Sequence, residues 1–221
     1  MTFTKPQFVI FDMDGLILDT EQLFMDHKSI VMEKYGYLQK REDYTRTIGT
    51  GGDTLRKILV EMYGEDYPME KITVETRTKV NEWILENGPP VKQGIRELME
   101  YFNTNDIPMC VATTTDSKTA GSYMEQAGLQ QYLRFLIGGE MVCHSKPDPE
   151  IFLTASTQAG VLPENCLVIE DSPNGIRAAK NASIPVIAIP DMLSVPEELK
   201  DYILAEVSSA DEIIGLFQSG D

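Results

Sequence analysis

Gln7-Phe8-Val9-Ile10-Phe11-Asp12-Met13-Asp14-Gly15 decides how this chain is read. Gln7–Phe11 is short and rich in β-branched and aromatic residues, the pattern of a strand buried on both faces. It runs directly into two carboxylates two positions apart, after which Gly15 lets the chain turn sharply away. Carboxylates this close repel, which raises one pKa unless a cation sits between them. A hard cation with oxygen ligands fits, and Mg²⁺ is the usual one beside phosphate. A calcium loop of the EF-hand kind opens similarly, but it needs Gly at its sixth position and Glu at its twelfth. Counted from Asp12, those positions hold Ile17 and Leu23. An ordinary acidic turn remains open on these residues alone.

Further along lie four more short apolar runs: Met109–Ala112, Phe135–Ile137, Leu167–Ile169 and Val186–Ile189. All read as buried parallel strands. The stretches between them are helical: Ser117–Ala127 up to Gly128, Pro149–Ala159 up to Gly160, and Asn174–Asn181 after Pro173. Strand–helix alternation means an α/β fold, a Rossmann-like parallel sheet with helices on both faces and right-handed crossovers. The interval between the first two strands breaks the alternation. There Thr20–Tyr35, Asp53–Met62 and Ile72–Glu86 read as helices, with Ile72, Val80, Trp83 and Ile84 as apolar positions, and Asn87-Gly88-Pro89-Pro90 ends the stretch. The expected organisation is an α/β core from residues 1–18 and 89–221, with 19–88 inserted as a helical domain.

Composition narrows the class. Apolar residues make up 42% and charged residues 24% of 221, the balance of a globular protein. A net charge of −16 argues against nucleic acid or an anionic membrane as partner, since both need clustered Lys and Arg. No run approaches the roughly 20 apolar residues that span a bilayer. Met1-Thr2-Phe3-Thr4-Lys5-Pro6 carries no signal-peptide pattern, so a cytoplasmic location is expected. Cys110, Cys143 and Cys166 lack disulfide or zinc-ligand spacing, and Cys110 reads as a small buried hydrophobe. Nothing demands more than a monomer.

In open α/β sheets ligands bind beyond the carboxyl ends of the strands. Those ends carry Asp12-Met13-Asp14-Gly15, then Thr113-Thr114-Thr115-Asp116, then Ser145-Lys146-Pro147-Asp148-Pro149, then Glu170-Asp171-Ser172. Each has an ordinary reading. Thr113 could cap a helix, Lys146 could be solvated, and Glu170-Asp171 could favour the helix start near Pro173. Four such groups at successive strand ends of an acidic chain argue for a site: carboxylates, hydroxyls and one lysine on one sheet edge.

With these residues in place, the chain resembles the haloacid dehalogenase superfamily, in the subgroup of beta-phosphoglucomutases and pseudouridine monophosphatases. Phe11-Asp12-Met13-Asp14-Gly15 resembles the first family motif and Val111-Ala112-Thr113 the second. Lys146-Pro147-Asp148-Pro149-Glu150-Ile151-Phe152 resembles the third and Ile169-Glu170-Asp171-Ser172-Pro173-Asn174-Gly175 the fourth. The insertion resembles the family's cap, which would close over substrate. The resemblance implies that Asp12 is a nucleophile forming an aspartyl-phosphate and that Asp14 is the general acid–base. It implies Mg²⁺ held by Asp12, the Asp14 carbonyl and Asp171, with Glu170 behind or on a metal-bound water. Thr113 and the Thr114 N–H would bind phosphate, and Lys146 would neutralise the nucleophile–phosphate pair.

Within the superfamily, dehalogenases and phosphonate hydrolases lack the second aspartate, so Asp14 argues for phosphate esters. Beta-phosphoglucomutases carry a cap histidine where Phe24 stands here and a cap arginine where Gly52 stands in Thr50-Gly51-Gly52, although Arg46, Arg77 or Lys79 could substitute. A phosphatase acting on a small phosphorylated metabolite, a sugar phosphate or nucleotide-like monoester, is therefore preferred over a phosphosugar mutase. The stretch from Leu16 to Glu21 is similar to pseudouridine monophosphatases. A non-catalytic metabolite-binding or interaction module is the remote alternative, against which the presence of both Asp12 and Asp171 counts.

Overall fold

Phe8–Phe11 forms β1, and all four of its residues are buried. The computed structural model describes residues 4–50 and 52–218, so Met1-Thr2-Phe3 and Gly51, which entered the sequence reading, lie outside the described residues. After β1 come helices α1 (Thr20–Lys34), α2 (Arg41–Thr45), α3 (Gly52–Tyr63) and α4 (Met69–Asn87). Then α5 (Ile95–Thr104) leads into β2 (Met109–Ala112), α6 (Ser117–Gln126), β3 (Leu133–Ile137), α7 (Glu150–Ala159) and β4 (Cys166–Glu170). The chain closes with α8 (Pro173–Asn181), β5 (Val186–Ala188), α9 (Glu197–Lys200), β6 (Ala205–Glu206) and α10 (Ala210–Gln218). No helix among the described residues is long and apolar enough to cross a membrane.

Two units make up the chain, Met1–Asp19 with Pro89–Asp221, and Thr20–Gly88. In the first, six strands make one sheet in the order β3-β2-β1-β4-β5-β6, and every pairing is parallel. That is the doubly wound order, with its topological switch where β1 meets β4. The register there aligns Phe11 with Ile169, so the residues that leave the two strands, Asp12 and Glu170, emerge as neighbours. Phe8, Ile10, Cys110, Val168, Val186, Phe152 and Ile176 form the core between this sheet and its helices.

Two parts of this unit differ from the sequence reading. Phe135–Ile137 does lie in a strand, but β3 is at the sheet edge and only Ile137 is buried. Residues 95–104 form a helix that no short apolar run announces. Ile95, Leu98, Met99 and Phe102 repeat at helical spacing and are all buried. Phe102 meets Phe11 edge-on at 6.2 Å and Phe217 of α10 at 5.8 Å, which ties the C-terminal helix to the sheet.

The second unit is all helical. Ile72, Thr76, Val80 and Ile84 form a four-residue-spaced buried stripe on α4, which packs on α1. Val31, Met32, Leu59, Tyr67 and Ile72 are its core. In the first unit, the two segments that border the insertion run side by side: Leu18 bridges Val91, the Asp19 N–H donates to the Pro90 carbonyl at 2.8 Å and the Lys92 N–H to the Ile17 carbonyl at 2.9 Å.

Truncating Phe102 to Ala removes a fully buried ring held between two others. Urea denaturation is expected to show a loss of about 3–5 kcal/mol; a loss below about 1 kcal/mol would mean that the α5–α10 layer does not hold the sheet.

Candidate active site

The site grows out of the sheet's switch point. The Asp12 N–H donates to the Ile169 carbonyl at 3.0 Å, a continuation of the β1–β4 ladder that brings Asp12 beside the end of β4. Asp12, Glu170 and Asp171 are all buried, and one oxygen from each falls within 4.8 Å of the others. Lys146 enters from the loop between β3 and α7. Its ammonium donates to Asp12, to Glu170 Oε1 at 2.9 Å and to the Ala112 carbonyl at 3.3 Å, and lies 4.8 Å from the centre of the Phe152 ring.

This is an imbalanced cluster, three carboxylates against one ammonium. Burial raises the Asp12 carboxyl to about 8, against the pull of Lys146 and with help from Glu170 and Asp14. Burial likewise raises Asp171, and the charges of Glu170, Asp12 and Asp191 add to it. For Lys146 burial works downward, but Asp12 and Glu170 outweigh it and hold the ammonium above the ordinary lysine value. Lys146 therefore stays charged, and the two aspartates resist ionisation as long as nothing else offsets their charge.

The donor set fits a divalent cation. Glu170 is fully buried and both its oxygens are engaged, Oε1 by Lys146 and Oε2 by the Ser172 N–H at 2.6 Å and hydroxyl at 3.0 Å. Asp171 Oδ1 is buried with no hydrogen-bond partner, which is costly for a carboxylate unless something electropositive meets it. The other Asp171 oxygen faces Gly15: a Cβ there would stand 2.4 Å from it, and the φ of +82° also calls for glycine. An all-oxygen donor set left with surplus negative charge suits a hard ion such as Mg²⁺.

Asp14 lies close enough to Asp12 for their charges to interact, and threonine hydroxyls hold its carboxylate. Its Oδ2 accepts from the Thr113 hydroxyl at 3.0 Å and from the Thr115 hydroxyl at 2.8 Å, two donors leaving the end of β2. Thr113 is buried and its oxygen also accepts from the Thr115 N–H at 3.1 Å. Thr114 is exposed. The hydroxyl expected to bind phosphate thus orients Asp14 as well. Sequence reasoning named Thr115 and Ser172 among the strand-end residues without giving them a role, and it passed over Lys92 and Asp191. Asp191 could have been found, because it follows β5 as the other acids follow their strands.

A family model described as haloacid dehalogenase-like hydrolase matches residues 9–189. The chain belongs to this family. The protein named "Probable pseudouridine-5'-phosphatase" of Drosophila melanogaster is 33% identical over 197 residues, covering 85% of this chain and 83% of the relative. The "Phosphorylated carbohydrates phosphatase" of Thermotoga maritima is 33% identical over 179 residues, covering 80% and 81%. A solved beta-phosphoglucomutase from Clostridium difficile superposes with a TM-score of 0.75 over 97% of this chain and 98% of its own, at 21% identity, which speaks to the fold.

In this haloacid dehalogenase-like hydrolase, replacing Lys146 with Met leaves Asp12 and Glu170 buried without their shared cation. A loss of about 3–5 kcal/mol at pH 8 is expected from urea denaturation. The sign with pH follows from linkage: the Asp12 carboxyl, already raised by burial and now without its ammonium, binds its proton more tightly folded than unfolded, so the deficit shrinks as the pH falls. A deficit that is equal at pH 8 and pH 5.5 would count against this charge balance.

Proposed function

We propose that the chain is a Mg²⁺-dependent phosphatase that hydrolyses a small phosphorylated metabolite through an aspartyl-phosphate on Asp12. The observation that carries this reading is the pairing of a buried, lysine-held Asp12 with an Asp171 oxygen that has no protein partner. The curated relatives named as phosphatases of phosphorylated carbohydrates and of pseudouridine 5'-phosphate support the substrate class.

A carboxylate and a phosphate repel, so charge must be cancelled before one can attack the other. Asp12, Asp171 and the Asp14 backbone carbonyl would hold Mg²⁺ with Glu170 behind them, and the ion when bound supplies that cancellation. Lys146 contributes the protein's own share from its place between Asp12 and Glu170. In the first step an Asp12 oxygen bonds to phosphorus while the ester P–O bond breaks, and the proton of the Asp14 carboxyl passes to the departing oxygen. In the second step the Asp14 carboxylate takes a proton from water, whose oxygen attacks phosphorus and releases Asp12 and inorganic phosphate. Thr113 and the Thr114 N–H would receive the phosphoryl oxygens. The hydroxyls of Thr113 and Thr115 hold the Asp14 carboxylate at the end of β2, beside the groups that would receive the phosphoryl oxygens.

A phosphate-release screen with Mg²⁺ over fructose 1-phosphate, glycerol 3-phosphate and pseudouridine 5'-phosphate tests the reading. Asp12→Asn is expected to abolish turnover with the fold intact, and Asp14→Ala to slow it about 10²–10⁴-fold. EDTA should stop the reaction and Mg²⁺ restore it, and Mg²⁺ should also raise the melting temperature of the wild type. Full activity of Asp12→Asn, or a rate indifferent to EDTA, would overturn the mechanism. Isomerisation of glucose 1-phosphate with a bisphosphate primer, without phosphate release, would assign the chain to the mutases instead.

A further inference from the structure

The turn that carries Asp14 is braced by a residue that lies far from it in sequence and belongs to none of the four motifs. Residues 13–18 fold back on themselves. The Gly15 N–H donates to the Leu18 carbonyl at 2.8 Å, and the Met13 carbonyl accepts from the Ile17 and Leu18 N–H groups at 2.9 and 3.0 Å. The Gly15 carbonyl accepts from the Lys92 ammonium at 2.8 Å. That ammonium also donates to Asp191 Oδ1 at 2.6 Å, in a pair only 24% and 16% exposed. The Lys92 N–H is itself bonded to the Ile17 carbonyl at 2.9 Å. Lys92 thus grips the turn twice, through main chain and side chain, and Asp191 holds its far end.

From these contacts we infer that Lys92 is a positioning residue for the general acid, with Asp191 orienting it. The two peptide planes that flank Gly15 are both fixed, the first by the Leu18 carbonyl and the second by Lys92. Together they set where the Asp14 α-carbon stands and which way its carbonyl faces. From the other side the Thr113 and Thr115 hydroxyls fix the Asp14 carboxylate. A charged donor on a carbonyl makes a shorter and stronger bond than a neutral one, which suits a turn whose glycine is conformationally permissive. The Gly15 α-carbon also faces Asp171 and Asp191: a Cβ there would stand 2.4 Å from Asp171 Oδ2 and 3.4 Å from Asp191 Oδ2. Those carboxylates wall the turn on that side, so what the Lys92 clamp governs is where Asp14 stands.

This inference rests on the phosphatase reading, and the test separates the two. The departing oxygen of a sugar or glycerol phosphate needs a proton, whereas p-nitrophenolate leaves without one. A residue acting through the acid must therefore matter more for the alkyl ester. The comparison uses p-nitrophenyl phosphate and whichever of fructose 1-phosphate, glycerol 3-phosphate or pseudouridine 5'-phosphate the wild type turns over fastest. Lys92→Met is expected to lower kcat/KM on the alkyl ester about 10- to 100-fold, the scale of a small misplacement of a reacting group. The loss on p-nitrophenyl phosphate should be at least several-fold smaller, and Lys92→Arg, which keeps a charged donor, should recover most of it. In an Asp14→Ala background Lys92→Met should add little further loss, because both changes remove the same function. Should Lys92→Met fail to fold, Asp191→Asn, which keeps the shape and loses the charge, is measured on the same two esters with the same expected asymmetry. Equal losses on both esters, or a loss under threefold on the alkyl ester, would overturn the clamp and leave the phosphatase reading standing. A wild type that releases phosphate from neither ester with Mg²⁺ would remove the phosphatase reading, and the clamp with it.

Discussion

Lys146 is where the rest of this structure converges. Its side chain is 6% exposed, and it meets carboxylates from the ends of two different strands, β1 and β4. Taking an ammonium and two carboxylates out of water is costly, and the cost is offset only when each is closely paired and its remaining valences are met. Ser172 meets those of Glu170, and the Ala112 carbonyl and the Phe152 ring meet those of Lys146. The aspartates are left short. Asp171 keeps an unpaired buried oxygen, and burial pushes its carboxyl upward. The protein alone does not satisfy this cluster. A cation meeting that oxygen would stabilise the fold, because whatever binds only the folded state adds its binding free energy to stability.

The sheet makes that concentration of charge possible. Parallel strands place all their carboxyl ends on one edge, and the switch between β1 and β4 leaves a crevice there. The register alone then puts Asp12 next to Glu170 with no help from side chains. Glu170 in turn lies over the start of α8. A Cβ on Gly175 would stand 1.5 Å from its Oε1, so the glycine is needed for the carboxylate to nest against the first turn. The same turn is capped by the Ser172 hydroxyl, which accepts from the Gly175 N–H at 3.0 Å. One serine thus caps a helix and helps lock a buried carboxylate.

The central strands were legible in the sequence because each is a short, wholly apolar run that ends in polar residues, and β2 matches Met109–Ala112 at both ends. The candidate site residues stood out because Asp12, Asp14, Thr113, Glu170 and Asp171 sit at the ends of those runs, whereas Lys146 lies in the loop beyond the third. What escaped the reading lacks that signature. α5 mixes polar and apolar residues, and its buried stripe shows only at a period of 3.6. β6 is two residues long and not fully buried. β3 looked like a central strand because Phe135 and Leu136 are apolar, but apolar composition does not reveal whether a strand has a neighbour on both sides. Thr115 and Lys92 are polar residues outside any apolar run, and their roles come from hydrogen bonds across 101 and 77 positions of sequence, which no local pattern encodes.

Those long-range bonds also explain how a domain-sized insertion can follow the first motif without loosening it. The chain leaves the core unit after Asp19 and re-enters at Pro89, and there the departing and returning segments are joined by the Leu18–Val91 bridge and the Asp19–Pro90 hydrogen bond. Entropy makes a long excursion inexpensive once its ends are together, since the closure cost grows only with the logarithm of length. The fixed placement of residues 13–18, where Asp14 stands, is a separate matter. Asp14 answers to two anchors, the threonine hydroxyls after β2 and the turn held from Val91–Lys92, and both belong to the core unit. Asp14 is thereby referenced to the sheet that carries Asp12, through contacts that all lie within the core unit.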